Sequence, residues 1–141
     1  MISNPKYGWC DFKLRKFRGR PSYLTDVPVD LLDAFIGYYT NGMGMAWFNE
    51  EGTEFTLVIN PYSLYVIEEK GKSILYDFSE MIIEKLAREL IDDIEKDLDG
   101  WSVEFVITDN QEEITQHRNE IIERIAKLKE LLENNKEKYY S

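Results

Sequence analysis

The stretch from Met45 to Phe78 limits most strongly what this chain can become. It divides into runs rich in β-branched and aromatic residues at 45–49, 54–59, 63–67 and 73–78. Gly52, the Asn60-Pro61 pair and Gly71 separate them. Runs of that kind between such breaks predict short antiparallel strands joined by tight turns. Read with period two, Phe55, Leu57, Ile59, Leu64, Val66 and Tyr76 share one strongly apolar face with Ile74 and Phe78. The opposite face is mixed: Glu54, Thr56 and Val58, then Tyr65 and Ile67, then Leu75 and Asp77. A wholly solvated side would be more polar. Part of this face is therefore expected to be covered, by the last helix or by another protein.

Before the meander, residues 7–14 alternate, with Cys10, Phe12 and Leu14 to one side, and predict a first strand. Gly19 and Pro21 mark 17–23 as a loop. Asp26 and Pro28 are helix-start signals, because Asp accepts bonds from orphan N–H groups and Pro lacks the donor left unpaired there. Leu31, Leu32, Phe35, Ile36 and Tyr39 then form a helical stripe, and Asn41-Gly42 ends it.

Beyond the meander, Ser79 is the expected cap of a second helix. Its stripe is Ile82, Leu86, Leu90, Ile94 and Leu98, and Gly100 is its stop. Residues 101–107 read as a further strand, with Trp101, Val103, Phe105 and Ile107 on one face. A last helix is expected over about 111–138, its stripe running through Ile114, Ile121, Ile125, Leu128 and Leu132. Some 28 residues make a helix about 42 Å long. Its end, from about Asn134, is expected to project or fray. The fold class is α+β: a mostly antiparallel sheet (45–78 with strands near 7–14 and 101–107) and three helices. Two of the helices would lie on the apolar face and one across an end or the mixed face.

The chain has 141 residues, 43% of them hydrophobic, which suits one domain with a real core. Its one cysteine, Cys10, has no intrachain partner, and the N-terminus lacks a signal-peptide pattern. Both point to a reducing cytoplasm. No apolar run reaches the roughly 18 residues of a membrane span, so no membrane partner is expected. The net charge is −10 but uneven. Residues 1–25 carry Lys6, Lys13, Arg15, Lys16, Arg18 and Arg20 against Asp11, whereas 26–110 hold 19 acids against 5 bases. Nucleic acid needs a positive contact surface, and most of this chain repels phosphate, so no nucleic-acid partner is expected. The basic stretch around Phe17–Gly19 is read as offsetting the acidic body.

Catalytic signatures are sparse. The chain lacks a Gly-x-Ser-x-Gly elbow and a phosphate-binding glycine loop. One histidine and one cysteine make no Cys/His metal cluster. Cys10 sits on the apolar side of a strand, and His117 lies among Gln116, Arg118 and Asn119 on an apparently polar helix face. Neither an enzyme activity nor a cofactor is expected. A small carboxylate-dependent enzyme remains one alternative, for example through a cation held by Glu89, Asp92 and Asp93.

The acids of the second helix are the strongest surface feature. Glu89, Asp92, Asp93, Glu95, Asp97 and Asp99 stand close together, and Asp97 and Asp99 oppose the helix dipole near its end. An acidic surface attracts basic partners. These six residues, with Tyr65 on the mixed sheet face as an aromatic anchor, are the candidate partner-binding set. A small, acidic, reduced single-domain chain without a catalytic set resembles bacterial polymorphic-toxin immunity proteins. The resemblance lies in size, charge and style over the whole chain. It implies a cytoplasmic protein that binds and neutralises a toxin domain, the partner then being a basic protein. The other alternative is a structural or regulatory module that forms a homodimer through the last helix.

Overall fold

The computed structural model describes residues 1–140, with side chains through 135. The chain opens with a hairpin of β1 (Ile2–Lys6) and β2 (Trp9–Leu14). Tyr7 and Gly8, both at positive φ, make its turn. The single strand expected over 7–14 thus begins two residues later, because Gly8 reverses the chain. β3 (Phe17–Gly19) pairs antiparallel with β2 where a loop is expected. Gly19 breaks no structure here. A side chain at that position would come within 2.6 Å of the Phe55 ring, so its absence is what lets the ring pack.

α1 (Val27–Asn41) starts and stops as expected, with Pro28 in its first turn and Gly42 left-handed at its end. β4 (Gly44–Asn49), β5 (Glu54–Asn60), β6 (Ser63–Glu69) and β7 (Ser73–Asp77) follow as an antiparallel meander in that spatial order. The strands therefore form two sheets, of three and four strands, rather than one.

α2 (Ile83–Glu95) begins later than expected. Ser79 caps no helix; its hydroxyl oxygen accepts from Leu64 N–H at 3.2 Å. The continuous apolar stripe is then broken at Asp97. This residue leaves helical geometry and accepts a bond from Gly100 N–H at 3.1 Å, opening α3 (Leu98–Glu104). Gly100 lies inside that helix, and 101–107 form no strand. Trp101 and Phe105 are buried while Val103 and Ile107 are exposed. The buried pair is four apart, one helical turn, and the alternation that suggested a strand is incidental. α4 (Gln111–Tyr140) completes the fold. The expected fraying beyond Asn134 falls largely on 136–141, outside the residues with described side chains.

α1 is the middle of the molecule. Val27, Leu31, Leu32 and Phe35 are fully buried in it. One side lies on β4 and β5, another meets α2 and α4. Beside α1, the three-stranded sheet covers the rest of the four-stranded sheet's inner face. Phe12, Phe17, Phe48 and Phe55 meet there with centroids 5.0–6.2 Å apart. Ile121, Ile125, Leu128 and Leu132 of α4 are buried, as their spacing predicts. α4 runs along α1, not across the mixed face, so among the described residues the mixed face of the four-stranded sheet has no helix over it.

α1 and β4 approach so closely that a Cβ on Gly44 would sit 1.7 Å from the Ala34 carbonyl oxygen. The oxygen belongs to backbone and a Cβ is fixed by the backbone that carries it, so neither can turn aside. Gly44→Ala should cost more than the about 1–3 kcal/mol of ordinary overpacking, measured by urea unfolding. Unchanged stability would place α1 farther from β4.

Candidate functional site: an open sheet face, an acidic flank and a locked histidine

Six acids were expected to form one solvated docking surface, and the structure places most of them in internal work. Glu89 and Asp93 receive the Met1 ammonium at 2.6 and 2.7 Å, and Asp93 also accepts from Ile2 N–H at 3.2 Å. Glu95 meets Lys129 of α4 at 3.2 Å. Asp97 caps α3, and Asp99 meets Arg118 at 3.2 Å. Asp92 is exposed on α2. Asp93 alone is well buried, at 14% exposure of its side chain. The others stay substantially in water, where ion pairs contribute little and exchange easily. They remain an acidic flank, held by α2, α3 and α4. Among the described residues, no group of three or more His, Cys, Asp or Glu side chains converges as metal ligands.

Tyr65 lies elsewhere, on the outer face of the four-stranded sheet. Strand register aligns that face in rows. Met45, Val58, Tyr65 and Asp77 form one; Trp47, Thr56, Ile67 and Leu75 the next; Asn49, Glu54, Glu69 and Ser73 the third. Met45 and Leu75 are 62% and 61% exposed and Trp47 is 43% exposed. Met45 and Trp47 were missing from the expected anchors. Carrying the period of two back through β4 finds them, since Ala46 and Phe48 point inward. Tyr65 and the acidic flank do not meet, for α2 packs on α1, β1, α3 and α4 instead.

His117 departs furthest from expectation. It is 5% exposed, and its Nε2 lies 2.8 Å from Asp26 Oδ2 and its Nδ1 2.9 Å from the Ser102 carbonyl oxygen. A carbonyl and a carboxylate only accept, so the two contacts favour the ring with a proton on both nitrogens. Asp26 gives its carboxylate to this bond, and no side-chain cap bond is made to α1. Three segments are thereby joined: the start of α1, α3 and α4. The gap between Ile114 and Ile121 in the apolar stripe falls at 117–118, and that gap was the available signal. With neither nitrogen free, the ring has no position from which to take a substrate's proton. Cys10 is not among its partners, and burial pushes the Cys10 thiol up, away from the reactive thiolate.

Comparison with protein-family models, with curated proteins and with solved structures finds no match. Among the described residues, no helix is long and apolar enough to cross a membrane.

Burial opposes the His117 charge, but the bonds to Asp26 and Ser102 outweigh it and raise the pKa above 6.5. A raised histidine stabilises the fold fully below its unfolded value and loses that contribution as pH rises through the folded value. Asp30 works in the same direction. Burial, then Asp26 and Asp33, lift it from 3.8 to about 6, so its ionisation costs stability across that interval. The stability gap between the parent and His117→Gln should therefore narrow as pH rises above about 6.5. Asp30→Asn should remove a loss between about 4 and 6. Thermal melts at stepped pH check both; a gap that does not change with pH would mean that the ring is neutral in the folded state.

Proposed function

We propose that this chain is a protein-binding module whose outer sheet face receives a partner, as an immunity protein receives a toxin domain. The observation that carries the reading is the uncovered apolar side chains spread across the outer sheet face, Met45 and Trp47 on β4 and Leu75 on β7. Single exposed apolar residues are ordinary, but a cluster rimmed by polar groups marks a contact surface. Trp is among the residue types most often found to dominate binding, and Trp47 stands in the middle row of the face, on the edge strand β4. Tyr65 lies on β6, between the two edge strands. The net charge of −10 favours a basic partner and promotes encounter with it. Homodimerisation through α4 has less support, because Ile122 is its one large exposed apolar side chain among the described residues.

A toxin domain encoded beside this chain's gene supplies the test. The pair should form a 1:1 complex by light scattering, and the chain should protect cells that express the toxin. Trp47→Asp should abolish both while its circular dichroism stays that of the parent. A folded Trp47→Asp protein that binds and protects normally would remove the sheet face from the function. A neighbouring gene whose product neither harms cells nor binds would remove the immunity reading.

A further inference from the structure

We infer that the occupant of the outer sheet face is a segment with apolar side chains set between basic ones, and not a second copy of this chain. This rests on the preceding reading of the face as a contact surface and adds the chemistry of what fills it. Acids border the apolar rows on two sides. Asp77 closes the row of Met45 and Tyr65, and Glu54 and Glu69 stand in the third row, past Trp47 and Leu75. Glu54 and Glu69 are directly opposite each other on neighbouring strands. Like charges in that position repel. Among the described residues, none of the three carboxylates has an ion-pair partner. Lys70 and Lys72 lie in the next turn, so the Glu54–Glu69 end is only partly offset. Asp77 accepts from Ser79 N–H and hydroxyl, which hold its carboxyl below the usual range and therefore charged.

A planar guanidinium fits a pair of facing carboxylates, offering several donors to both. The same arrangement excludes a second copy. In a two-fold dimer each copy offers the same patch to the other, bringing apolar rows and acidic ends together with no basic residues in the face itself. Like-charge juxtaposition across an interface costs several kcal/mol. The register also sets a length. Asp77 and the Glu54–Glu69 pair lie four residues apart along the strands, about 14 Å at roughly 3.4 Å per residue. An extended partner would span that with basic residues four apart, and a helix with basic residues about nine apart.

A random twelve-residue peptide phage library, selected on the immobilised full chain and counter-selected on Trp47→Asp, provides the test. Expected winners carry Lys or Arg on both sides of apolar residues. Their affinity should fall at least ~10-fold with Glu54→Lys and Glu69→Lys together, and less than ~2-fold with Asp92→Lys on the acidic flank. Winners that need Trp47 but lack basic residues, or ignore the Glu54 and Glu69 reversals, would overturn the inference and leave the sheet-face reading standing. Absence of any Trp47-dependent winner would overturn both. A concentration-dependent mass by sedimentation, lost in Trp47→Asp, would make a second copy the occupant and overturn the inference alone.

Discussion

The contact between α1 and β4 at Gly44 is the constraint on which the other layers depend. The Ala34 carbonyl occupies the place a side chain would take. The helix can therefore lie flat on the sheet, with Leu31, Leu32 and Phe35 fully buried. Its remaining surface is then free to carry α2 and α4. Beside it, the aromatic cluster of Phe12, Phe17, Phe48 and Phe55 fills the rest of the inner face. All four helices are committed to one side of the four-stranded sheet, and that commitment leaves the other side open.

The meander and α1 were legible because local signals and burial agree there: glycine and proline breaks, period-two faces and a left-handed Gly42 all favour one structure. Residues 97–105 were not legible, because two periods compete. Trp101, Val103, Phe105 and Ile107 alternate like a strand, while Trp101 and Phe105 also sit one helical turn apart. Burial of only that pair decides for the helix, and burial is a property of the folded chain. Asp97 could be counted as one more acid or as a cap; only its bond to Gly100 N–H shows which. His117 was misread from its neighbours in sequence, although its real surroundings are Asp26 and Ser102. The α+β class needed only the patterns, whereas the division into two sheets follows from which strands pair, β1 to β3 among themselves and β4 to β7 among themselves.

The acidic flank illustrates what charge patterns in a sequence leave undecided. Six neighbouring carboxylates read as one field, yet five of them meet an ammonium, a lysine, an arginine or a backbone N–H elsewhere in the chain. Most of these contacts are exposed and weak. Glu54, Glu69 and Asp77 drew less notice in the sequence because they are spread over 24 positions. Strand pairing collects them around the apolar rows. The charge pattern on the sheet face thus arises from register rather than from density along the chain.

Several charged contacts link the segments before the meander to those after it. Met1 to Asp93 spans 92 residues, Asp26 to His117 spans 91, and Asp33 to Arg124 spans 91. Each closes a long loop and must offset the entropy of doing so. The meander between them is built of hairpins whose partners are near in sequence, so its contacts need no such closure. The two parts of the molecule therefore differ in how they respond to loosening. Loss of the His117 proton weakens a tie between α1, α3 and α4, all on the helical side. The exposed rows of the sheet keep their ladder hydrogen bonds through such a change, so the outer sheet face is insulated from the tie that His117 makes.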